Sequence, residues 1–247
     1  ISFLDEMNSK GIFTRMIEVS NKDKSFYWKG EYKNDFNTRV THVTHLNALE
    51  FYKPSLNKSS INFDLVMLGN LDPVIQMDIY SQVKNDNNFV ILDTMNYWIE
   101  KTQKELFEII CKVNLVVIND EESQMLGKSN SIEECAKNIL SCGPDYIIIK
   151  KGSHGAELFS KHQRSTIPAL DNIKVVDPTG AGDSFVGGVC GYLALQPMIS
   201  FKEIHNAMIY GAVIASFCIE EFGLARLQKI SKENVDKRIK TFAKHLL

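Results

Sequence analysis

An α/β layered domain with a mostly parallel sheet is the fold class this sequence predicts, and two observations predict it. Four short apolar runs, residues 63–68, 89–92, 115–118 and 146–149, are rich in Val, Ile and Leu without alternation, as strands covered on both faces read. Segments with helical spacing, such as 101–112 and 131–140, lie between them, and strands that alternate with helices wind into parallel sheets. The residues just after the runs support the same class. Gly69-Asn70, Asp93, Asn119 and Lys150-Lys151-Gly152 stand behind the four runs in turn. Any strand must end in something polar, but four in succession gather chemistry at the carboxyl edge, where open α/β sheets bind ligands.

The first fifty residues differ in character. Stretches 14–20, 26–32 and 40–46 lean towards β structure and carry Phe26, Tyr27, Trp28 and Tyr32. Polar, turn-like stretches 21–24 and 33–37 separate them. They predict a small antiparallel sheet, about residues 14–50, contributed as a β lid to a single domain spanning 1–247. Phe26 and Trp28 either close over a substrate or pack within that lid.

The bulk properties narrow the class. A chain of 247 residues can bury one full core. A formal net charge of −2 offers no general attraction to nucleic acid or to a membrane surface, so neither is expected as a partner. No apolar stretch reaches the roughly 20 residues that span a bilayer, and no signal peptide is visible. The five cysteines, Cys111, Cys135, Cys142, Cys190 and Cys218, form no Cys-x-x-Cys pair and sit in or beside apolar runs. That fits structural thiols in a reducing, cytoplasmic compartment. The chain starts at Ile1, so it is expected to begin inside a longer natural protein.

The segment Asp177-Pro178-Thr179-Gly180-Ala181-Gly182-Asp183-Ser184 concentrates the chemistry. Pro178 keeps Asp177 extended, and Gly180 and Gly182 flank a small alanine, so that backbone amides can turn inward towards a ligand. A helix is expected to start near Gly182 or Asp183 and to run to about Leu195. Its N-terminus would offer unpaired N–H groups and a positive dipole end, a site for phosphate. Asp183 there reads in two ways: as a first-turn carboxylate that stabilises the helix, or as a base beside an anion hole. A Gly-x-x-x-x-Gly-Lys-Ser/Thr loop is absent, as is a Gly-x-Gly-x-x-Gly after a strand, which excludes P-loop and ordinary dinucleotide-binding proteins.

Together with the Ser-Phe-x-Gly-Gly at 184–188, residues 177–183 resemble the C-terminal signature of the ribokinase/PfkB family of carbohydrate kinases. Asn119-Asp120-Glu121-Glu122 resembles that family's Asn-x-x-Glu motif, and 150–156 its nucleotide-binding turn. Asn206-Ala207 and Gly211-Ala212 resemble its late segment near the adenine. The family's opening strand and Gly-Gly substrate motif have no counterpart here, and Lys150 stands where the family often has threonine.

The resemblance implies a ribokinase-like three-layer α/β/α fold and an ATP-dependent kinase acting on a hydroxyl of a sugar, or alternatively of a nucleoside. A non-catalytic nucleotide- or sugar-binding homologue is the rival from another class. In the kinase reading Asp183 is the general base, and the amides of Gly180, Ala181, Gly182 and Asp183 form the anion hole. Lys150, Gly152, Ser153, Gly155, Asn206 and Gly211 contact the nucleotide. Asn119 and Glu122 hold Mg²⁺, although the same spacing also describes a helix capping box. Asp177 and Thr179 match a monovalent-cation site that would take K⁺, and Asp93 faces phosphate or metal-bound water. Lid pairing between subunits would give a homodimer.

Overall fold

The computed structural model describes residues 3–33, 39–56 and 62–244, and the chain divides into two units, 1–60 and 61–247. The first unit opens with a short helix, α1 (Phe3–Ser9), and pairs β1 (Tyr27–Tyr32) with β2 (Arg39–His45) in an antiparallel hairpin that bulges between Lys29 and Gly30. The bulge has a packing reason. A methyl group on Gly30 would lie 2.2 Å from the Trp28 ring, so only glycine lets the indole cover its own hairpin, where Trp28 Nε1 donates to Thr41 Oγ1 at 3.2 Å. The strand expected over 14–20 does not form; that stretch is turn and irregular chain. Among the described residues, its β-branched and apolar side chains have no third ladder to join, because β1 and β2 pair only with each other. The turn expected over 33–37 lies largely outside the described residues.

The second unit alternates strands and helices as the apolar runs predict. In chain order come β3 (Leu65–Leu68), α2 (Pro73–Val83), β4 (Phe89–Asp93), α3 (Asn96–Lys101), α4 (Gln103–Ile110) and β5 (Leu115–Asn119). They are followed by α5 (Asp120–Gly127), α6 (Ile132–Leu140), β6 (Tyr146–Lys150), β7 (Ala156–Ser160) and β8 (Arg164–Ile167). Three long helices close the chain: α7 (Ala181–Leu193), α8 (Phe201–Cys218) and α9 (Lys232–Ala243). The sheet order is β3-β4-β5-β6-β7-β8, with β3 to β6 parallel and β7 and β8 antiparallel. The helix expected over 101–112 is broken at Thr102, which has φ −135° and ψ 43°, so it becomes the end of α3 followed by α4.

Alternation along the strands sorts the core into two layers. Val90, Leu92, Val116, Ile118, Ile147 and Ile149 pack with Tyr80, Leu106, Ile109, Leu126 and Ile139 of the helices α2, α4, α5 and α6. Ile91, Leu115, Val117, Ile148 and Leu158 face Phe185, Val186, Val189, Ile204 and Met208 of α7 and α8. Helices cover both faces, which is the three-layer α/β/α arrangement. All five cysteines are free, and burial pushes the Cys190 thiol up to about 11, so it rests as a protonated apolar side chain. Among the described residues, no helix is long and apolar enough to cross a membrane.

Candidate active site

Strand register brings the polar strand ends to one edge. Asp93 pairs with Val117, and Asn119 with Lys150, so Asp93, Asn119 and Lys150 close β4, β5 and β6 on the carboxyl side. The glycine segment arrives at the same edge. Loop 177–180 is anchored on the last turn of α8: the N–H groups of Val176 and Asp177 donate to the Ile219 carbonyl at 2.8 and 3.3 Å, and the Cys218 thiol contacts the Thr179 carbonyl at 3.6 Å. Thr179 N–H donates to Asp177 Oδ1 at 3.0 Å, a turn that fixes the Asp177 carboxylate against its own backbone.

Gly180 caps α7 with φ +80° and ψ 2°, a left-handed conformation that favours glycine. No side chain caps this helix. The Ala181 N–H is taken by the Pro178 carbonyl at 3.1 Å, so of the four amides expected in the anion hole, Ala181 is committed to the turn. The N–H groups of Gly180, Gly182 and Asp183 remain for a ligand at the positive end of a 13-residue helix. Asp183 stands in the first turn and is exposed. An uncapped helix start with a free carboxylate at its lip can hold an anion and accept a proton beside it.

Lys150 joins the two parts. Its Nζ lies 3.6 Å from Asp93 Oδ1 and 3.3 Å from the point where a Cβ on Gly182 would stand. Asp93 is 5% exposed, and its Oδ1 makes no hydrogen bond. Burial pushes the Asp93 carboxyl above the ordinary aspartate range; the Lys150 charge pulls it back in part, and the negative charge of Asp183 adds to the upward push. This pairing was invisible in the sequence, where the two residues stand far apart and each merely follows a strand.

The remaining predicted residues fall into three groups. Asn119 and Glu122 form the capping box of α5: Glu122 N–H donates to Asn119 Oδ1 at 2.7 Å, and Asn119 N–H to Glu122 Oε2 at 2.8 Å. Gly152, Ser153 and Gly155 form the tight turn from β6 to β7. Gly155 there has φ +84°, and a methyl on it would meet the Ile167 carbonyl oxygen at 2.0 Å. Asn206 and Gly211 do not join the glycine loop. Asn206 contacts Glu203, which accepts from Tyr192 near the far end of α7. The 12 positions from Asn206 to Cys218 place it about 18 Å along α8 from the loop anchor. Gly211 is a packing residue, since a methyl on it would lie 2.7 Å from the Phe185 carbonyl oxygen where α8 crosses α7.

Among the described residues, no three His, Cys, Asp or Glu side chains converge as a metal cage. Mg²⁺ fits such an edge, because it takes one or two carboxylates and completes its shell with water and substrate phosphates. Asn119 and Glu122, at the junction of β5 and α5, are the residues here that would hold it.

Fold and site together define an α/β protein whose polar strand ends and glycine loop meet at the carboxyl edge of the sheet. The chain belongs to the pfkB family carbohydrate kinases, whose pattern matches residues 2–230. It is 28% identical to a nucleoside kinase of Methanocaldococcus jannaschii over 71% of this chain and 55% of that protein. It is 32% identical to a tagatose-6-phosphate kinase of Staphylococcus epidermidis over 61% of this chain and 51% of that one. The chain thus spans about half the length of these relatives. The crystal structure of the M. jannaschii nucleoside kinase superposes with a TM-score of 0.77 at 23% identity, covering 97% of this chain and 76% of that one. A Burkholderia thailandensis nucleoside kinase in complex with inosine gives 0.76 at 20%, covering 97% and 77%. At these identities the superpositions establish a shared ribokinase-like fold.

Proposed function

We propose that this chain carries the phosphoryl-transfer centre of an ATP-dependent kinase that phosphorylates a hydroxyl group of a sugar or sugar-like molecule. One observation carries the reading: the uncapped N-terminus of α7, with the amides of Gly180, Gly182 and Asp183 open and the exposed Asp183 carboxylate beside them. Asp183 takes the proton of the acceptor hydroxyl as the oxygen forms its bond to the γ-phosphorus. The bond from that phosphorus to the bridging oxygen breaks, and ADP leaves with the electron pair. The open amides meet negative charge on the transferring group, and removing a preorganised donor of this kind costs roughly 3–4 kcal/mol in other enzymes. Transfer needs position and electrostatics more than covalent help from protein.

Gly152, Ser153 and Gly155 are assigned to the nucleotide through their turn. Asn119 and Glu122 are assigned to Mg²⁺, which supplies charge against the phosphates when bound. Asp177 and Thr179 are assigned to a K⁺ site. A cytoplasmic location, a lid formed by the first unit and a lid-paired homodimer belong to the same reading.

A nucleoside is the second candidate substrate, and the match to the M. jannaschii nucleoside kinase over 71% of the chain favours it. Coupled ADP release over a panel of sugars and nucleosides separates the two. Faster turnover on one class assigns the substrate, whereas ATP binding without ADP release on any acceptor counts for a binding protein.

A further inference from the structure

We propose that Lys150 is a phosphate-binding residue of this centre, its ammonium held by Asp93 and directed at the terminal phosphoryl group of the nucleotide. The inference rests on the kinase reading and adds to it a side-chain cation that the glycine motif does not contain.

Three features of the pair support a role beyond tying the fold together. The first is its distance. At 3.6 Å the two groups attract without a hydrogen bond, and Asp93 Oδ1 has none from elsewhere. A buried ion pair stabilises a fold most when its geometry closes and its remaining valences are filled; here the Thr94 N–H reaches the Asp93 carboxylate, but Oδ1, the oxygen nearest Lys150, stays open. The second is placement. Lys150 Nζ sits 3.3 Å from a Cβ position on Gly182, the second residue of α7. A cation at a helix N-terminus faces the positive end of the dipole. Open amides and an ammonium therefore converge, and the ligand that both features favour carries more than one negative charge, as a terminal phosphate does.

The third feature is Asp93 itself. It is 5% exposed and lies on the same sheet face as Ile91, towards α7 and α8. A carboxylate there would repel a phosphate unless a cation stood between them. Lys150 stands there, and its side chain is 18% exposed, so it keeps access to a ligand. Asp93 is thus a positioning residue: it holds the ammonium at the glycine loop and keeps it from swinging to solvent.

The test is nucleotide binding by the 247-residue chain, measured calorimetrically at fixed Mg²⁺ with ATP and with ADP. In Lys150→Met, ATP affinity is expected to fall about ten- to a hundredfold, the scale of one charged hydrogen bond. ADP affinity should stay within about threefold, because ADP lacks the group the ammonium meets. Lys150→Arg should recover part of the ATP preference. Equal weakening of both nucleotides, or no change in either, overturns the inference and leaves the kinase reading standing. A folded, unmutated chain that binds neither nucleotide removes the kinase reading, and this inference with it.

Discussion

Lys150 and Lys151 are neighbours in the chain, yet they make opposite kinds of ion pair. Lys151 shares the sheet face of Ile147 and Ile149 and closes on Glu157, which also takes Arg164 Nη2 at 2.6 Å and Nε at 3.0 Å. Arg164 then reaches Glu133 on α6 at 3.3 Å. Both oxygens of the Glu157 carboxylate have donors, and the cluster ties β6, β7, β8 and α6 together. Lys150 shares the opposite face with Ile148, turns towards α7, and stands 3.6 Å from a carboxylate oxygen without a hydrogen bond. A closed network supports the fold; an open one keeps charge available for a ligand. One step along the chain, where β6 ends at Lys150, separates the two roles, as successive side chains of an extended chain point to opposite faces.

The sharpest way to break this contrast is stability. Glu157→Ala leaves Lys151 without its carboxylate and Arg164 with Glu133 alone, and should cost about 2–3 kcal/mol. That is less than the roughly 3–5 of a fully buried pair, because both cations keep some water. Urea unfolding measures it, and a loss below about 0.5 kcal/mol, the scale of an ordinary surface change, would mean the closed cluster does not support the fold. Lys150→Met should cost about 1 kcal/mol or less, since Asp93 can take up a proton when its partner is gone. A loss as large as that of Glu157→Ala would erase the distinction.

The two carboxylates should also titrate with opposite sign. Burial alone would push Glu157 up, but the hydrogen bonds and charges of Lys151 and Arg164 outweigh it and hold the carboxyl below its ordinary value of 4.5. Its contribution is present above that value and lost as pH falls through the lower folded value. Asp93 is raised from 3.8, by burial first, so its folded form holds a proton more tightly than the unfolded chain does. Its contribution is present below 3.8 and lost as pH rises through the higher folded value. In unfolding curves taken across pH, Glu157→Gln should flatten the acid-side loss and Asp93→Asn the loss on the other side. These are the smallest of the expected effects.

Much of the second unit was legible in the sequence because its strands are buried on both faces. Unbroken runs such as Leu115–Asn119 leave little else for the chain to do. Strands β7 and β8 were not legible. Glu157 and Arg164 interrupt their apolar pattern, and only the structure reveals that the two charges satisfy each other and Lys151. Stretch 14–20 erred the other way: β-leaning residues without a partner strand stay irregular. In the site, the glycine loop could be read from spacing, whereas Lys150 meeting Asp93 depends on sheet register and on the arrival of α7. Asn206 and Gly211 were named as one motif segment; along α8 one stands near Tyr192 and the other at the crossing with α7, neighbours that spacing alone does not reveal.

The central claim is that chemistry happens at the N-terminus of α7, and one measurement tests it most directly. Asp183→Asn is compared with the unmutated chain for ADP release on the best acceptor of the panel and for ATP affinity. The account predicts that turnover falls at least about 10²-fold, the usual scale for a general base, while ATP binds as before. Turnover within a few-fold of the unmutated chain would contradict it and remove Asp183 from the mechanism.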